Sequence, residues 1–138
     1  MDEEYDRQQL LAFDPEALAN AEFGLAKLRA KYAEWVRDDI DELVASCHGQ
    51  FGEEELVRVR RAAHNLKGQG ESFGYPLITA IGQSLFDYCD NLREPGPQDP
   101  AIIRAHVDAV LKVVEQRLTE SGGEAGSEVM NELARAKI

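Results

Sequence analysis

The tetrapeptide Phe73-Gly74-Tyr75-Pro76 restricts the fold more than any other stretch of the sequence. A glycine directly after a helix can adopt the left-handed conformation that ends the helix, and proline is favoured at the first position of the next one. Because only a few residues connect the two flanking helices, these helices must be antiparallel neighbours. The sequence therefore predicts a helical hairpin centred on this glycine.

Four segments have apolar residues at the three- and four-residue spacing of an amphipathic helix. Their stripes are Leu25, Leu28, Tyr32, Trp35, Val36, Ile40, Leu43 and Cys47; Leu56, Val59, Ala63, Leu66, Gly70 and Phe73; Leu77, Ile81, Leu85, Tyr88 and Leu92; and Ile103, Val107, Val110, Leu111, Val114 and Leu118. No segment alternates as a strand would. The pattern predicts an all-α chain with four long helices.

Cap residues set the ends of these helices. Asp14 and Asp99 each precede a proline, so we expect both aspartates to act as N-caps of the first and fourth helix. With 138 residues the chain suits one domain. We expect a flexible N-terminal segment at 1–13, the helical domain at 14–121, and a segment at 122–138 that is either a fifth helix or a mobile tail.

The composition excludes several classes of function. A net charge of −11 disfavours binding to nucleic acids and to membrane surfaces. The chain starts without a signal-peptide pattern and has no run of 18 apolar residues, so we expect a cytoplasmic protein. Cys47 and Cys89 lie on apolar stripes, where a reduced cysteine behaves as a small hydrophobic residue rather than as a redox or metal-binding group.

His64 lies outside the apolar stripe of its helix. Its helix neighbours at three and four residues are Arg60, Arg61, Lys67 and Gly68, so the imidazole should be exposed among cations. A glycine inside a helix costs about 1 kcal/mol relative to alanine. Gly68 and the nearby Gly70 therefore suggest a gap that a large docking partner would need.

The pattern HxLKGxGxxFGYPxxTxIG resembles the histidine phosphotransfer (HPt) domains of bacterial multistep phosphorelays. Its residues here are His64, Leu66, Lys67, Gly68, Gly70, Phe73, Gly74, Tyr75, Pro76, Thr79, Ile81 and Gly82. The resemblance implies an antiparallel up-down four-helix bundle with short N-terminal and possible C-terminal accessory helices. It also implies that His64 is the phosphoacceptor, Lys67 the cation beside the phosphate, and Gly68 the access point for a receiver domain.

The same resemblance implies the chemistry and the partners. In the family the imidazole Nε2 accepts a phosphoryl group from a receiver-domain aspartyl phosphate and passes it to another receiver aspartate. The implied partners are response-regulator receiver domains and a hybrid histidine kinase, with Mg²⁺ on the receiver and no cofactor on this chain. We expect a monomeric phosphocarrier without autokinase activity. We expect partner-binding residues at Arg60, Arg61, Gln69 and Glu71.

Other functions are less consistent with the sequence. The chain has no glycine-rich ATP-binding boxes, which excludes a complete histidine kinase. The dimerisation domain of a kinase would usually have an acidic residue after the histidine, but Asn65 follows His64 here. A non-catalytic adaptor that docks receivers or a kinase without being phosphorylated remains an alternative. His106 should be a boundary histidine at the edge of the fourth helix's apolar face rather than a second phosphosite.

Overall fold

The computed structural model describes residues 15–137, and these residues form five α-helices and no strand. The helices are α1 (Pro15–Ser46), α2 (Glu53–Gln69), α3 (Pro76–Asn91), α4 (Asp99–Glu115) and α5 (Gly123–Ala136), and a 3-10 turn at Glu71–Phe73 follows α2. The predicted all-α class is confirmed. The expected N-terminal segment 1–13 and the Asp14 cap lie outside the described residues.

Helices α1 to α4 form a ring in which each helix packs against two neighbours. Helix α1 contacts α2 and α4, helix α3 contacts the same two, and the α2–α3 pair is the most extensive. The largest fully buried side chains between them, apart from His106, are Tyr32, Val36, Leu43, Val59, Leu66, Ile78, Ile81, Leu85, Ile103, Val110 and Val113. The predicted four-helix bundle is confirmed.

Helix α5 packs on the outer side of α4. Its apolar residues Val129 and Leu133 are buried, and Lys112 of α4 is paired with Glu132 of α5. Residues 123–136 are therefore a helix in contact with the bundle. The domain division at residue 121 stays a prediction.

The predicted apolar stripe of α1 is wrong for three of its members. Leu25, Leu28 and Trp35 are 48%, 48% and 50% exposed, whereas Tyr32, Val36, Ile40, Leu43 and Cys47 are buried. Length explains the exposure of Leu25 and Leu28, because the 32 residues of α1 span about 48 Å and the 17 residues of α2 only about 26 Å. The first turns of α1 extend beyond the α2–α3 hairpin, so no helix of residues 15–137 lies opposite them. Trp35 is exposed because it lies about 100° from the centre of the buried stripe around the helix.

The turn between α2 and α3 has the predicted glycine. Gly74 has φ +87°, which is the left-handed conformation that favours glycine. The α-helix nevertheless ends earlier than predicted, at Gln69 rather than at Phe73. The backbone N–H of Glu71 donates to the Thr79 hydroxyl at 2.7 Å instead of to a carbonyl of its own helix, which tightens the last turn.

Asp99 does not have the role of N-cap that the sequence predicts. Gln98 occupies the N-cap position and Asp99 is the first helical residue, with its side chain completely buried. Its carboxylate accepts hydrogen bonds from the Gly96 N–H at 2.6 Å and from the Tyr88 hydroxyl of α3. The aspartate therefore ties the α3–α4 loop to α3.

Candidate functional site

His64 lies on the outer surface of α2 and is exposed. The apolar face of the same helix directs Val59, Ala63 and Leu66 into the core, and each is fully buried. Within residues 15–137, neither nitrogen of the imidazole takes part in a hydrogen bond; its one ring contact is with Phe86 of α3. A reactant can therefore reach the imidazole nitrogens without first displacing a hydrogen-bond partner.

Helix α3 approaches α2 closely beside the histidine. A Cβ atom on Gly82 would lie 2.4 Å from the backbone nitrogen of Lys67 and 2.8 Å from Leu66 Cβ. Only a glycine fits at this crossing, because protein interiors leave no space for such an overlap. Because the two helices cross so closely here, the side chains that follow Gly82 on α3 lie beside the exposed surface of α2 that carries His64.

Phe86, one helical turn after Gly82, is half-buried and lies next to the imidazole. The two ring centroids are 6.1 Å apart at an interplanar angle of 49°. The Lys67 ammonium lies 4.7 Å from the centroid of the Phe86 ring, and the Arg60 guanidinium carbon lies 5.3 Å from it. Both distances are within the range of a cation–π contact.

Helix α2 has four basic residues, which are Arg58, Arg60, Arg61 and Lys67. They differ in whether a carboxylate pairs with them. Arg58 Nε is paired with Glu42 Oε1 of α1 at 2.6 Å, and Arg60 Nη2 is paired with Asp90 Oδ1 of α3 at 2.7 Å. The hydrogen bond and charge of Arg58 lower the pKa of Glu42.

Lys67 and Arg61 have no carboxylate within ion-pair distance in the described part of the chain. The local positive charge predicted from the sequence is therefore concentrated on these two residues.

The two glycines after His64 differ in their surroundings. A Cβ on Gly68 would meet no atom of the described residues within 4 Å, and Gly68 is exposed, so no contact in this part of the chain requires a glycine there. A Cβ on Gly70 would lie 2.7 Å from the Thr79 backbone nitrogen and 2.9 Å from the Tyr75 carbonyl oxygen. The expectation that Gly70 leaves a gap for a partner is wrong, because its missing side chain allows the α2–α3 turn to pack.

The predicted partner-binding residues are all exposed, but only some of them flank His64. Arg60 and Arg61 lie one turn before it on the same surface. At about 100° per residue, Gln69 is rotated by about 140° from His64, and Glu71 lies in the 3-10 turn beyond the helix end. Their roles in partner binding stay predictions.

The side of α2 that faces α1 is fixed by a polar contact. The Asn65 amide Nδ2 donates to Asp39 Oδ1 at 3.1 Å. Burial raises the pKa of Asp39, and the hydrogen bond from Asn65 acts in the opposite direction. The residue after the histidine therefore helps to hold α2 against α1.

His106 is completely buried rather than at the boundary of the core, which corrects the expected position. Its Nδ1 is 2.8 Å from the Ile102 carbonyl oxygen and its Nε2 is 3.0 Å from the Ser84 hydroxyl, which also accepts from Lys137 Nζ at 2.8 Å. The geometry agrees with a histidine whose hydrogen bonds are satisfied. Burial is the main cause that lowers its pKa.

Both cysteines are free and buried, and burial raises the pKa of the Cys89 thiol to about 11. Among the described residues, no group of three His, Cys, Asp or Glu side chains could hold a metal ion. Between residues 15 and 137, no helix is both long and apolar enough to cross a membrane.

Sequence reasoning missed the contribution of α3 to this surface. Gly82, Phe86 and Asp90 follow one another at intervals of four residues, so they form one ridge of the helix. The ridge faces α2, where Gly82 meets Lys67, Phe86 meets His64 and Asp90 meets Arg60. The four-residue spacing is visible in the sequence, but it does not indicate which partner each residue contacts.

Comparison with known proteins gives one family. The model of the Hpt domain family matches residues 27–134, a segment that begins within α1, includes His64 and ends within α5. No curated protein and no solved structure matches the chain.

Proposed function

The chain belongs to the Hpt domain family, which acts in histidine phosphotransfer in phosphorelays, and from this premise we propose that His64 carries the phosphoryl group. The observation that carries the proposal is the exposed imidazole on the bundle surface, with Lys67 one turn further along α2 and not ion-paired to any carboxylate of the described residues. His106 is a poor candidate because it is completely buried. His48 lies in the link between α1 and α2 and is not part of either helix.

In the proposed reaction the lone pair of His64 Nε2 attacks the phosphorus of a receiver aspartyl phosphate. The new N–P bond forms as the P–O bond to the aspartate breaks, and its electron pair leaves on the aspartate carboxylate. The proton on Nδ1 stays on the ring during this step. Imidazole suits this task because its neutral form is a good nucleophile near pH 7. The reverse sequence of bond changes delivers the phosphoryl group to a second receiver aspartate.

Phosphoryl transfer depends mainly on in-line positioning and on stabilisation of the charge that spreads over the equatorial oxygens. Lys67 is the residue that we propose for the second task, because its ammonium is a compact point charge that has no carboxylate partner among residues 15–137. Gly68 is proposed as the point of access, since the space above it is open.

Family members are phosphocarriers rather than catalysts, and they interact with receiver domains and kinases. We propose that this chain likewise has no autokinase activity, binds no cofactor, and works as a cytoplasmic monomer. Mg²⁺ would be supplied by the receiver, whose own carboxylates hold it. Incubation with ATP alone should therefore leave the protein unlabelled.

The test is phosphate transfer from a phosphorylated receiver domain to the wild type, to His64→Gln and to His106→Gln. We expect acid-labile, alkali-stable label on the wild type and on His106→Gln, and none on His64→Gln. Circular dichroism should show that both variants keep the helical fold. Label retained by His64→Gln would overturn the assignment.

The same experiment distinguishes the proposed phosphotransfer from the adaptor alternative. A non-catalytic adaptor would bind receiver domains in a pull-down but would remain unlabelled by every phosphorylated receiver tested. Phosphotransfer profiling against the purified receivers of the source organism would then also identify the cognate partners.

A further inference from the structure

Phe86 is the one aromatic side chain that contacts the imidazole of His64 in the described structure, and two cations contact its ring as well. The Lys67 ammonium and the Arg60 guanidinium both lie within 5.3 Å of the ring centroid. Two positive groups repel each other in the absence of a compensating attraction. Here the electron-rich ring attracts both groups, and Asp90 additionally pairs with Arg60.

Arg60 and Lys67 differ in how many partners hold them. Arg60 has the ring and a carboxylate, so its position is fixed from two sides. Lys67 contacts the ring but pairs with no carboxylate of the described part of the chain. A lysine side chain with four rotatable bonds would otherwise sample many positions in solvent, because ordering it opposes side-chain entropy.

We propose that Phe86 is a positioning residue, an aromatic platform that holds the Lys67 ammonium beside the imidazole, where an incoming phosphoryl group meets it. The proposal rests on the proposed function, in which His64 accepts that group. A cation–π contact at an exposed site is weaker than a charge-assisted hydrogen bond to a phosphoryl oxygen. The ammonium has three donors, so it can donate to a phosphoryl oxygen while it stays over the ring.

The backbone explains why the platform stays in place. Gly82 fixes the distance between α3 and α2 one turn before Phe86, and the ion pair of Arg60 with Asp90 joins the same helices one turn after it. The ring is half-buried and packs against the core. The positioning effect therefore belongs to the α2–α3 contact and does not require a partner to induce it.

The test compares Phe86→Leu, which removes the aromatic ring but keeps an apolar side chain, with Phe86→Tyr, which keeps the ring. The phosphodonor is either a phosphorylated receiver domain at saturating concentration or the small molecule phosphoramidate. Phe86→Leu should slow phosphorylation of His64 about two- to fivefold, the range expected for one exposed cation–π contact. The apparent affinity for the receiver should not change, and Phe86→Tyr should restore the wild-type rate.

A double-mutant comparison separates positioning from a general structural effect. In a Lys67→Ala background the Phe86→Leu substitution should have no further effect on the rate, because the side chain that the ring positions is already absent. An equal slowing in both backgrounds would overturn the proposal, and so would wild-type kinetics in Phe86→Leu.

Nuclear magnetic resonance provides a readout that does not depend on phosphotransfer. The ring current of Phe86 should shift the ε-methylene protons of Lys67 upfield in the wild type and in Phe86→Tyr, but not in Phe86→Leu. Absence of this shift in the wild type would overturn the platform directly. A wild type that accepts no label on His64 from either donor would instead overturn the proposed function, and the role of the ring in transfer with it.

Discussion

Lys67 and Arg61 are the two cations beside His64 that have no carboxylate partner among the described residues, whereas Arg58 and Arg60 are each paired. Surface ion pairs contribute little to stability, but they do reduce the charge that an approaching partner experiences. The sequence shows four similar cations between residues 58 and 67. At the residue scale, the ion pairs divide them into two whose charge is offset and two whose charge is not.

Lys67→Ala should slow the transfer step itself. If one charge supplies about 1.4 to 4 kcal/mol to the transition state, the rate at saturating receiver should fall by about ten- to a thousandfold. The affinity for the receiver should change little. Rapid-quench measurements over a range of receiver concentrations would show both quantities, and a loss confined to binding would move Lys67 into the docking surface.

Arg61→Ala should lower the association rate with a receiver and weaken its dependence on salt. The unpaired guanidinium contributes to the attraction of an acidic partner, and salt screens that attraction. The double variant Arg60→Ala/Asp90→Ala should have a smaller effect, because the two opposite charges of this ion pair largely cancel at a distance. Stopped-flow association at low and high salt compares the two directly, and equal effects would contradict this division of the cations.

The α2–α3 hairpin is the element in which the sequence was most informative. Local signals were sufficient for the turn, because Gly74 and Pro76 act through the conformation of their own backbone. Gly70 could not be interpreted from the sequence, since its reason lies in the Thr79 backbone of the next helix. The contacts of Phe86 were also invisible, because they depend on how far α3 is displaced along α2.

Alanine at Gly68 of α2 and alanine at Gly70, directly after α2, should have opposite effects on stability. Gly68→Ala should stabilise the protein by up to about 1 kcal/mol, because the added methyl group meets open space and alanine favours the helix. Gly70→Ala should destabilise it, because the methyl group would overlap the backbone of Thr79. Urea unfolding of the two variants measures the difference, and the same sign for both would contradict it.

The larger substitution Gly68→Gln tests the access role of this position. The side chain fits the free protein but would occupy the surface beside His64, so we expect severe slowing of transfer from a receiver with little loss of stability. Phosphorylation by the small donor phosphoramidate should be much less affected. An unchanged rate of transfer from the receiver would exclude a docking gap at Gly68.

At the scale of the whole molecule, His106 connects three helices. It lies on α4, its imidazole contacts the Ser84 hydroxyl of α3, and that hydroxyl accepts from Lys137 directly after α5. Protonation would place a positive charge in a buried position near the Lys137 ammonium. The neutral imidazole is therefore part of the folded arrangement.

Stability should consequently fall as the pH drops below about 6.5, the ordinary pKa of histidine. Because the folded state lowers the pKa of His106, the unfolded chain binds more protons in this range, and the free energy of unfolding decreases with decreasing pH. His106→Gln lacks this titration and should lose less stability between pH 6.5 and pH 5.5. Urea unfolding at several pH values compares the two slopes, and identical slopes would contradict the prediction.

The exposed face of α1 has a practical consequence for optical experiments. Trp35 is the only tryptophan of the chain, it is 50% exposed, and its ring centroid lies 5.7 Å from that of Phe73 at an interplanar angle of 84°. Tryptophan fluorescence therefore comes from one site at the end of the α2–α3 hairpin. Iodide should quench this emission in the free protein, and any partner that covers the exposed face of α1 should protect it, so binding there can be followed without a label.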